Sequence, residues 1–240
     1  MNRATCRLMV FLGVLMAACA TGLPAQANEP ITLTVDASGA PMKILHSNMV
    51  LPVTPGPLTL YYPKWVPGLH EPAGPIGNVA GLKFSANGKA IPWERDLSDV
   101  FTFHVVVPAG VARLDVSFDY LEPSSFGGPA AGSATDKLLD LTWNQVLLYP
   151  AGTPSSRIVY QPSIVLPPGW KFATALPVEN QSGNRVTFRP VSLNRLVDSP
   201  LIAGEYYRAY DVTPPGEPIH HEIDLVADSR AALAISPAVQ

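Results

Sequence analysis

Two His-Glu pairs are the residues of this chain whose types and spacing are best suited to metal chemistry. His70-Glu71 and His221-Glu222 each begin like H-E-x-x-H, the helical motif in which two histidines bind zinc and the glutamate acts as general base. The second histidine must follow one helical turn later, where the chain has Gly74 and Leu225 instead. Pro72 would also interrupt a helix at the first pair. The sequence therefore predicts no catalytic residue, no metal ligand and no cofactor for this chain.

The adjacent histidines near the C-terminus lie in a segment, Ile219 to Val226, that is predicted to be a strand. Neighbouring side chains of a strand point to opposite faces. We therefore expect His221 on an apolar face with Ile219, Ile223 and Leu225, and His220 on a polar face with Glu222 and Asp224. Catalytic zinc needs three protein ligands that converge, so this pair should offer at most a weak site.

Other kinds of chemistry are not indicated by the sequence. It contains no G-x-S-x-G nucleophile elbow, no P-loop and no dinucleotide fingerprint. Glu94, Asp96 and Asp99 are close in sequence, but such a cluster at a strand end is most often a solvated turn, and we assign it no chemistry. The only cysteines are Cys6 and Cys19, both near the N-terminus. The net charge is −3 with no basic cluster, so no nucleic-acid partner is expected.

The most distinctive stretch is an aromatic, proline-rich loop from Tyr61 to Glu71, with the sequence YYPKWVPGLHE. Its prolines fix φ and its glycine permits a tight turn. Its rings combine a large apolar area with polar atoms, which suits a domain interface or a binding surface. The alternative is a packed turn that closes one end of a β-sandwich. The candidate interface or cleft residues are Tyr62, Trp65, Pro67 and Gly68.

The elements that must position these residues are predicted to be short strands. Helices are disfavoured because the 240 residues include 26 prolines and 18 glycines. Asn87-Gly88 between Leu82–Ala86 and Lys89–Trp93 predicts a hairpin with a type I′ turn. Ser124 to Ala134 is expected to be a flexible loop, Leu138 to Leu148 a strand or a short helix, and Ser192 the cap of a brief helical turn. The fold class is therefore an all-β, antiparallel, sandwich-like domain, with further strands expected at 31–35, 44–53, 58–62, 101–107, 112–121, 158–166, 185–188 and 205–212.

The N-terminus has the pattern of an export signal. Arg3 and Arg7 precede an apolar run, Leu8 to Ala20, that is too short to span a bilayer, and Ala25-Gln26-Ala27 offers small residues for cleavage. We predict a signal peptide at residues 1–27, no membrane span, and a periplasmic or secreted protein. The alternative is a lipoprotein anchored at Cys19, because residues 16–19 loosely resemble a lipobox.

The order of several motifs resembles the N-terminal domain of PDZ-bearing glycyl-aminopeptidase-type metallopeptidases (metallopeptidase family sixty-one). These motifs are Tyr61–Gly68, Gly77–Val79, Asn87–Lys89 with Trp93, Arg195–Glu205 and His220–Leu225. The resemblance implies a zinc domain carrying H-E-x-x-H, with zinc as the cofactor of the full-length family. It also implies that residues 28–227 are the peptidase N-terminal β domain and that 228–240 begin the catalytic domain, as a helix.

Two functions of different classes are consistent with this reading. In the first, the chain is the non-catalytic N-terminal domain, truncated or split, of an exported zinc aminopeptidase. It would pack against a catalytic domain and help to shape the substrate cleft. In the second, it is a free-standing exported β-sandwich that binds a peptide or another protein. In the first case, an apolar surface should be left bare near Trp65 or between Leu225 and Ile235.

Overall fold

The computed structural model describes residues 29–66, 70–123 and 132–234, and their regular structure is almost entirely strand. The helical elements are α1 (Leu193–Val197) and 3-10 turns at Ala40–Met42, Ile76–Asn78, Trp143–Gln145, Ser155–Arg157 and Ala231–Leu233. The strands are β1 (Ile31–Asp36), β2 (Ile44–Pro52), β3 (Gly56–Tyr61), β4 (Val79–Ala86), β5 (Lys89–Ile91), β6 (Trp93–Arg95), β7 (Thr102–Val107), β8 (Arg113–Leu121), β9 (Ser133–Ala134), β10 (Leu138–Leu141), β11 (Tyr149–Pro150), β12 (Val159–Val165), β13 (Lys171–Thr174), β14 (Val178–Ser182), β15 (Arg185–Phe188), β16 (Val191–Ser192), β17 (Leu201–Gly204), β18 (Tyr206–Asp211) and β19 (Glu222–Ala227).

These strands form layered, mostly antiparallel sheets, as the sequence predicts. The largest sheet has the order β14-β15-β12-β1-β2-β8-β4-β5, with β16 also paired to β12. Two four-stranded sheets have the orders β13-β17-β10-β9 and β11-β3-β7-β6, and β18 and β19 form a two-stranded ribbon. One pair, β1 with β12, is parallel, which the alternation of the two segments did not predict.

A single hydrophobic core lies between the large sheet and the two four-stranded sheets. Leu33 and Met49 of the large sheet, Leu60 and Phe103 of the β3–β7 sheet, and Leu139 of the β10–β17 sheet are all buried in one cluster. Along β1, the residues predicted to face inward are buried and those between them are less so. Because apolar residues recur at every second position, each strand presents one face to this core and leaves the other for solvent or function.

The predicted hairpin turns at Asn87-Gly88, whose φ angles of 51° and 74° are those of a type I′ turn. Phe84 pairs with Ile91, but the ladder ends there rather than at Trp93. Pro92 cannot donate to the ladder. The chain then changes sheets, since Trp93 pairs with Val105 of β7. The second strand of the predicted hairpin is therefore shorter than the sequence indicated.

The C-terminal histidines do not lie on a strand, which corrects the predicted alternation. Strand β19 begins at Glu222, directly after His221. Ile219 and Ile223 are exposed, so the predicted apolar face is not buried by these residues. Strand β19 pairs with β18 in a two-stranded ribbon.

Four shorter segments have a predicted conformation that the structure describes in whole or in part. Ser192 caps α1 as predicted, and its side chain accepts a hydrogen bond from the backbone N–H of Arg195 at 3.3 Å. The ambiguous segment 138–148 contains both a strand, β10, and a 3-10 turn. The expected flexible loop is described only from residue 132, where β9 follows, and the expected C-terminal helix is described as a 3-10 turn. The predicted signal peptide lies outside the described residues.

Within the described part of the chain, no helix is both long enough and apolar enough to cross a membrane.

Candidate functional site

A cleft of about 510 Å³ lies against the outer face of the β11-β3-β7-β6 sheet. Alternation explains how this face is built. Leu60 of β3 and Phe103 of β7 point into the core, so Thr59, Tyr61 and His104 point outward. Residues 62, 64 and 65, which follow β3, and residues 96, 98, 99 and 101, which precede β7, also line the cleft.

Aromatic rings form the walls of the cleft. Tyr61 and Tyr149 lie on paired strands, and their rings meet edge to face with centroids 5.7 Å apart. Trp65 stands at the rim with 64% of its surface exposed. Phe101 lines the cleft beneath Lys64, whose Nζ lies 5.5 Å from the ring centroid. These rings offer faces to a ligand and also pair with a cation of the chain itself.

The predicted interface residues have different positions in this site. Trp65 lies at the rim, while Tyr62 is completely buried and only lines the floor. The Tyr62 hydroxyl donates a hydrogen bond of 3.0 Å to the carbonyl of Gln145, and burial raises its pKa well above the ordinary value. Tyr62 therefore supports the cleft rather than meeting a partner. Pro67 and Gly68 lie outside the described residues.

Asp96 is the most strongly bonded polar group of the cleft. Its Oδ1 accepts hydrogen bonds from Ser98 N and Ser98 Oγ, both at 2.8 Å, and from Asp99 N at 2.9 Å. Its Oδ2 lies 3.1 Å from Nε2 of His104. The His104 hydrogen bond, followed by those from Ser98 and Asp99, holds the pKa of Asp96 far below its usual range. Asp96 is therefore an ionised carboxylate throughout the neutral pH range.

His104 joins Asp96 to the sheet. Its Nδ1 lies 3.1 Å from Oγ1 of Thr59, its direct partner across the strand pair. Because a carboxylate only accepts hydrogen bonds, Nε2 carries a proton, and in the neutral ring Nδ1 accepts from the threonine hydroxyl. The pairing fixes the imidazole and, through it, the position of Asp96.

Asp99 ties the two loops of the cleft together. Its Oδ2 accepts hydrogen bonds from Lys64 Nζ and Thr102 Oγ1, each at 3.3 Å, and its Oδ1 accepts one from Phe101 N at 3.2 Å. Partial burial acts to raise the pKa of Asp99, but these hydrogen bonds and the Lys64 charge outweigh it, and the net shift is downward. The Lys64–Trp65 segment is thereby held next to the Asp96 turn.

The order of hydroxyl, imidazole and carboxylate in Thr59, His104 and Asp96 is also that of a hydrolase triad. A triad needs donors beside the nucleophile that stabilise an oxyanion. Thr59 lies in the middle of β3, with residues on both sides paired to β7, rather than at a turn or helix start where backbone N–H groups are free. The arrangement therefore suits binding better than acyl transfer.

The zinc implied by the resemblance does not fit the residues present. His220 lies 3.6 Å from Asp211 and 3.7 Å from Glu222, but it is exposed and bonded to Thr213. Among the described residues, no three histidine, cysteine or acidic side chains are grouped so that they could hold a metal ion. We therefore derive no chemical step through a metal in this chain.

Sequence reasoning assigned no role to the acidic turn or to His104, although both line the cleft. One local signal was available, because an aspartate two residues before a serine favours a turn closed by its own side chain. The strand alternation also placed His104 opposite Phe103 and Val105. Neither signal shows that this turn faces Tyr149, which is far away in sequence and arrives through the pairing of β11 with β3.

Comparison with known families and structures adds an independent line of evidence. Residues 32–205 match the profile of the family described as Peptidase M61 N-terminal domain. No curated protein is similar enough to match the chain. A crystal structure of an aminopeptidase N family protein from Idiomarina loihiensis has 16% identity and a TM-score of 0.70, and the match covers 82% of this chain and 32% of that one.

A second solved structure is an M1 zinc metallopeptidase from Deinococcus radiodurans, with 18% identity and a TM-score of 0.46 over 87% of this chain and 49% of that one. The Idiomarina likeness shows a shared fold. The chain thus spans about a third of the Idiomarina protein and about half of the Deinococcus protein.

Proposed function

Because the chain belongs to the Peptidase M61 N-terminal domain family, we propose that it is the non-catalytic N-terminal β domain of an exported zinc aminopeptidase. In this role it packs against the catalytic domain and helps to shape the substrate cleft. The observation that carries the proposal is the family match, which extends from β1 to the end of β17 and so includes every sheet except the β18–β19 ribbon.

The exposed aromatic rim of the cleft supports a role at a domain interface. Trp65 is 64% exposed. The segment before it is fixed, because Tyr62 is hydrogen-bonded to Gln145 and Lys64 to Asp99. Tryptophan is among the residues most enriched at the energetic centre of interfaces. A catalytic domain packed against the outer edge of Trp65 would leave the cleft as part of the surface that faces the substrate.

Export is part of the same proposal. Residues 1–27 have the three regions of a signal peptide, so the mature protein would begin at Asn28 and work in the periplasm or outside the cell. Anchoring through lipid on Cys19 is the alternative route to the same side of the membrane.

The second candidate function is a free-standing peptide- or protein-binding module. It is favoured by one observation, namely that residues of the described part of this chain line a cleft that combines aromatic rings with charged groups. This candidate predicts a protein that works without a zinc domain.

The two candidates are separated by what accompanies the chain in its natural cells. An affinity-tagged chain is isolated after export, and mass spectrometry determines whether a domain carrying H-E-x-x-H is covalently continuous with it or bound to it. The proposed function predicts such a domain in a constant ratio. A monomeric chain with no zinc domain in the same fraction would support the binding module instead.

A matched pair of variants connects that result to the rim. Trp65→Ala should weaken the association with a separate zinc domain about tenfold or more, as loss of a central aromatic contact does. Val178→Ala is the control, since Val178 is an exposed apolar residue on the edge strand β14, away from the cleft. Equal association of both variants would contradict an interface at Trp65.

A further inference from the structure

The cleft combines aromatic walls with an excess of negative charge, and this combination selects a particular ligand chemistry. We propose that the cleft bounded by Tyr61, Trp65, Asp96 and Tyr149 binds the cationic side chain of a basic peptide residue, arginine or lysine. The peptide context rests on the proposed function, whereas the recognition of the cation rests on the cleft itself.

The charge balance of the cleft favours a cation. Asp96 and Asp99 are both ionised, and Lys64 is bound to Asp99, so Asp96 keeps a charge that no lysine or arginine of the described chain neutralises by a salt bridge. His104 donates a hydrogen bond from Nε2 to Asp96 and holds its carboxylate in place. Glu94 lies directly across from His104 on β6 and adds a further exposed carboxylate at this end. The neighbouring Arg95 points to the other face, where it lies over Phe103.

The ring faces favour a cation that is planar or carries an apolar stem. Cations are attracted to the faces of tryptophan and tyrosine, and arginine also stacks on them. The cleft already shows this contact internally, with Lys64 Nζ over the ring of Phe101. Trp65 and the Tyr61–Tyr149 pair are the rings left for a ligand, because both tyrosines are only partly buried and Trp65 is exposed.

Polar atoms that can orient a peptide are also present. The hydroxyls of Tyr61 and Tyr149 line the cleft and make no hydrogen bond to another described residue, so they can bond to a ligand. The volume of about 510 Å³ lies within the range of ligand sites in proteins and accommodates a long side chain together with part of its backbone. Together these groups fit a basic residue within a peptide better than a small inorganic cation, which would leave the rings unused.

The test uses two probes of nearly the same shape that differ in charge. Nα-acetyl-L-arginine amide is cationic, and Nα-acetyl-L-citrulline amide is its neutral counterpart. Each is titrated into the purified, exported chain and followed by calorimetry and by tryptophan fluorescence. The arginine probe should bind saturably and at least about tenfold more tightly than the citrulline probe, and added salt should reduce that difference.

The variants place the binding in the cleft. Asp96→Asn removes the charge while its side-chain oxygen can still accept from Ser98 and Asp99, so the turn is kept; the arginine probe should bind about tenfold more weakly. Asp119→Asn is the matched control, because Asp119 is likewise paired to a histidine, His46, but on the large sheet. The Asp119→Asn variant should bind the arginine probe as tightly as the unaltered chain does. Trp65→Ala should also weaken binding.

Equal affinity for the two probes, no saturable binding, or equal loss in the Asp96 and Asp119 variants would overturn the inference. These results are independent of whether a zinc domain accompanies the chain. If the two probes bind equally but a zinc domain is isolated with the chain, only the cation site is rejected. Selective binding without any zinc domain would reject the peptidase role and support the free-standing module.

Discussion

Asp96 and His104 are joined by a hydrogen bond of 3.1 Å between Oδ2 and Nε2, which links a loop to the middle of a strand and fixes the carboxylate at the mouth of the cleft. The same histidine is held from its other side by Thr59 of the neighbouring strand. Asp96 lies in a turn, but the sheet fixes its position through His104. A selective binding group needs such a fixed position.

The bonded carboxylate of Asp96 predicts a pH-dependent contribution to stability. The fold lowers the pKa of this group below its ordinary value of 3.8, so its stabilising effect is present above 3.8 and is lost as the pH falls toward the folded-state value. Asp96→Asn should therefore lower the urea midpoint at neutral pH, and the difference from the unaltered chain should shrink in acid. If the difference in urea midpoint stays constant down to the lowest pH at which the protein folds, the ionised carboxylate of Asp96 is not its cause.

The two adjacent tyrosines should respond differently to loss of the hydroxyl. Tyr62→Phe removes a buried donor from the Gln145 carbonyl and should lower the free energy of unfolding by about 1 to 2 kcal/mol. Tyr61→Phe is the control, because that hydroxyl lines the cleft without a described protein partner, and it should change stability by less than about 0.5 kcal/mol. Urea unfolding measures both, and equal effects would contradict the assigned roles.

Two glycines provide a test of how the rim is held. A Cβ at Gly74 would lie 1.9 Å from the carbonyl oxygen of Pro63, beside the backbone of Lys64. Gly74→Ala should therefore displace the Lys64–Trp65 segment and reduce binding of the arginine probe. Gly88→Ala is the control: it meets no atom within 4 Å and is strained only by its φ of 74°.

The control substitution should cost about 1 to 2 kcal/mol of stability, the ordinary penalty of a left-handed residue, and leave probe binding unchanged. Probe titration and urea unfolding of both variants give the two readouts. If Gly74→Ala binds the probe normally, the contact with Pro63 does not position the rim.

Glu122 predicts a second pH effect, with the opposite sign. It is only 5% exposed, neither of its carboxyl oxygens has a hydrogen-bond partner among the described residues, and burial raises its pKa to about 8. Lys43 opposes this rise and Asp140 adds to it. In the unfolded chain the pKa of Glu122 is about 4.5. The free energy of unfolding should therefore fall between pH 4.5 and about 8 and be level above pH 8.

Glu122→Gln should remove this fall in the free energy of unfolding. For a pKa shift of this size the fall totals roughly 3 to 5 kcal/mol across the pH range. Glu217→Gln, at an exposed position, is the control and should keep it. The measurement is the free energy of unfolding as a function of pH. A slope that survives in Glu122→Gln would assign it to another group.

Export predicts a defined mature N-terminus. If residues 1–27 form a signal peptide, N-terminal sequencing of the exported protein should begin at Asn28. Ala27→Leu should block this cleavage because signal peptidase requires a small residue there, whereas Ala20→Leu should not. A lipidated start at Cys19 would show that the lipoprotein alternative is correct.

The order of strands along the chain follows from local sequence rules. Alternation of apolar residues placed β1, β2, β7 and β8 within one or two residues of their ends, and Asn87-Gly88 fixed its turn because few residues tolerate positive φ. The family resemblance also came from the sequence, because the order of short motifs along a chain survives even where single motifs are weak.

The partner of each strand was decided only by the tertiary structure. The alternation of apolar residues shows which face of a strand is apolar, but it does not depend on which strand pairs with it. Neither the parallel β1–β12 pair nor the change of sheet at Pro92 could therefore be predicted. The cleft has the same origin. Tyr61, Asp96, His104 and Tyr149 are ordinary residues in separate segments, and packing of the sheets over one core brings their side chains together. Local sequence determines the periodicity of a strand, whereas the burial of one continuous core selects which strands meet.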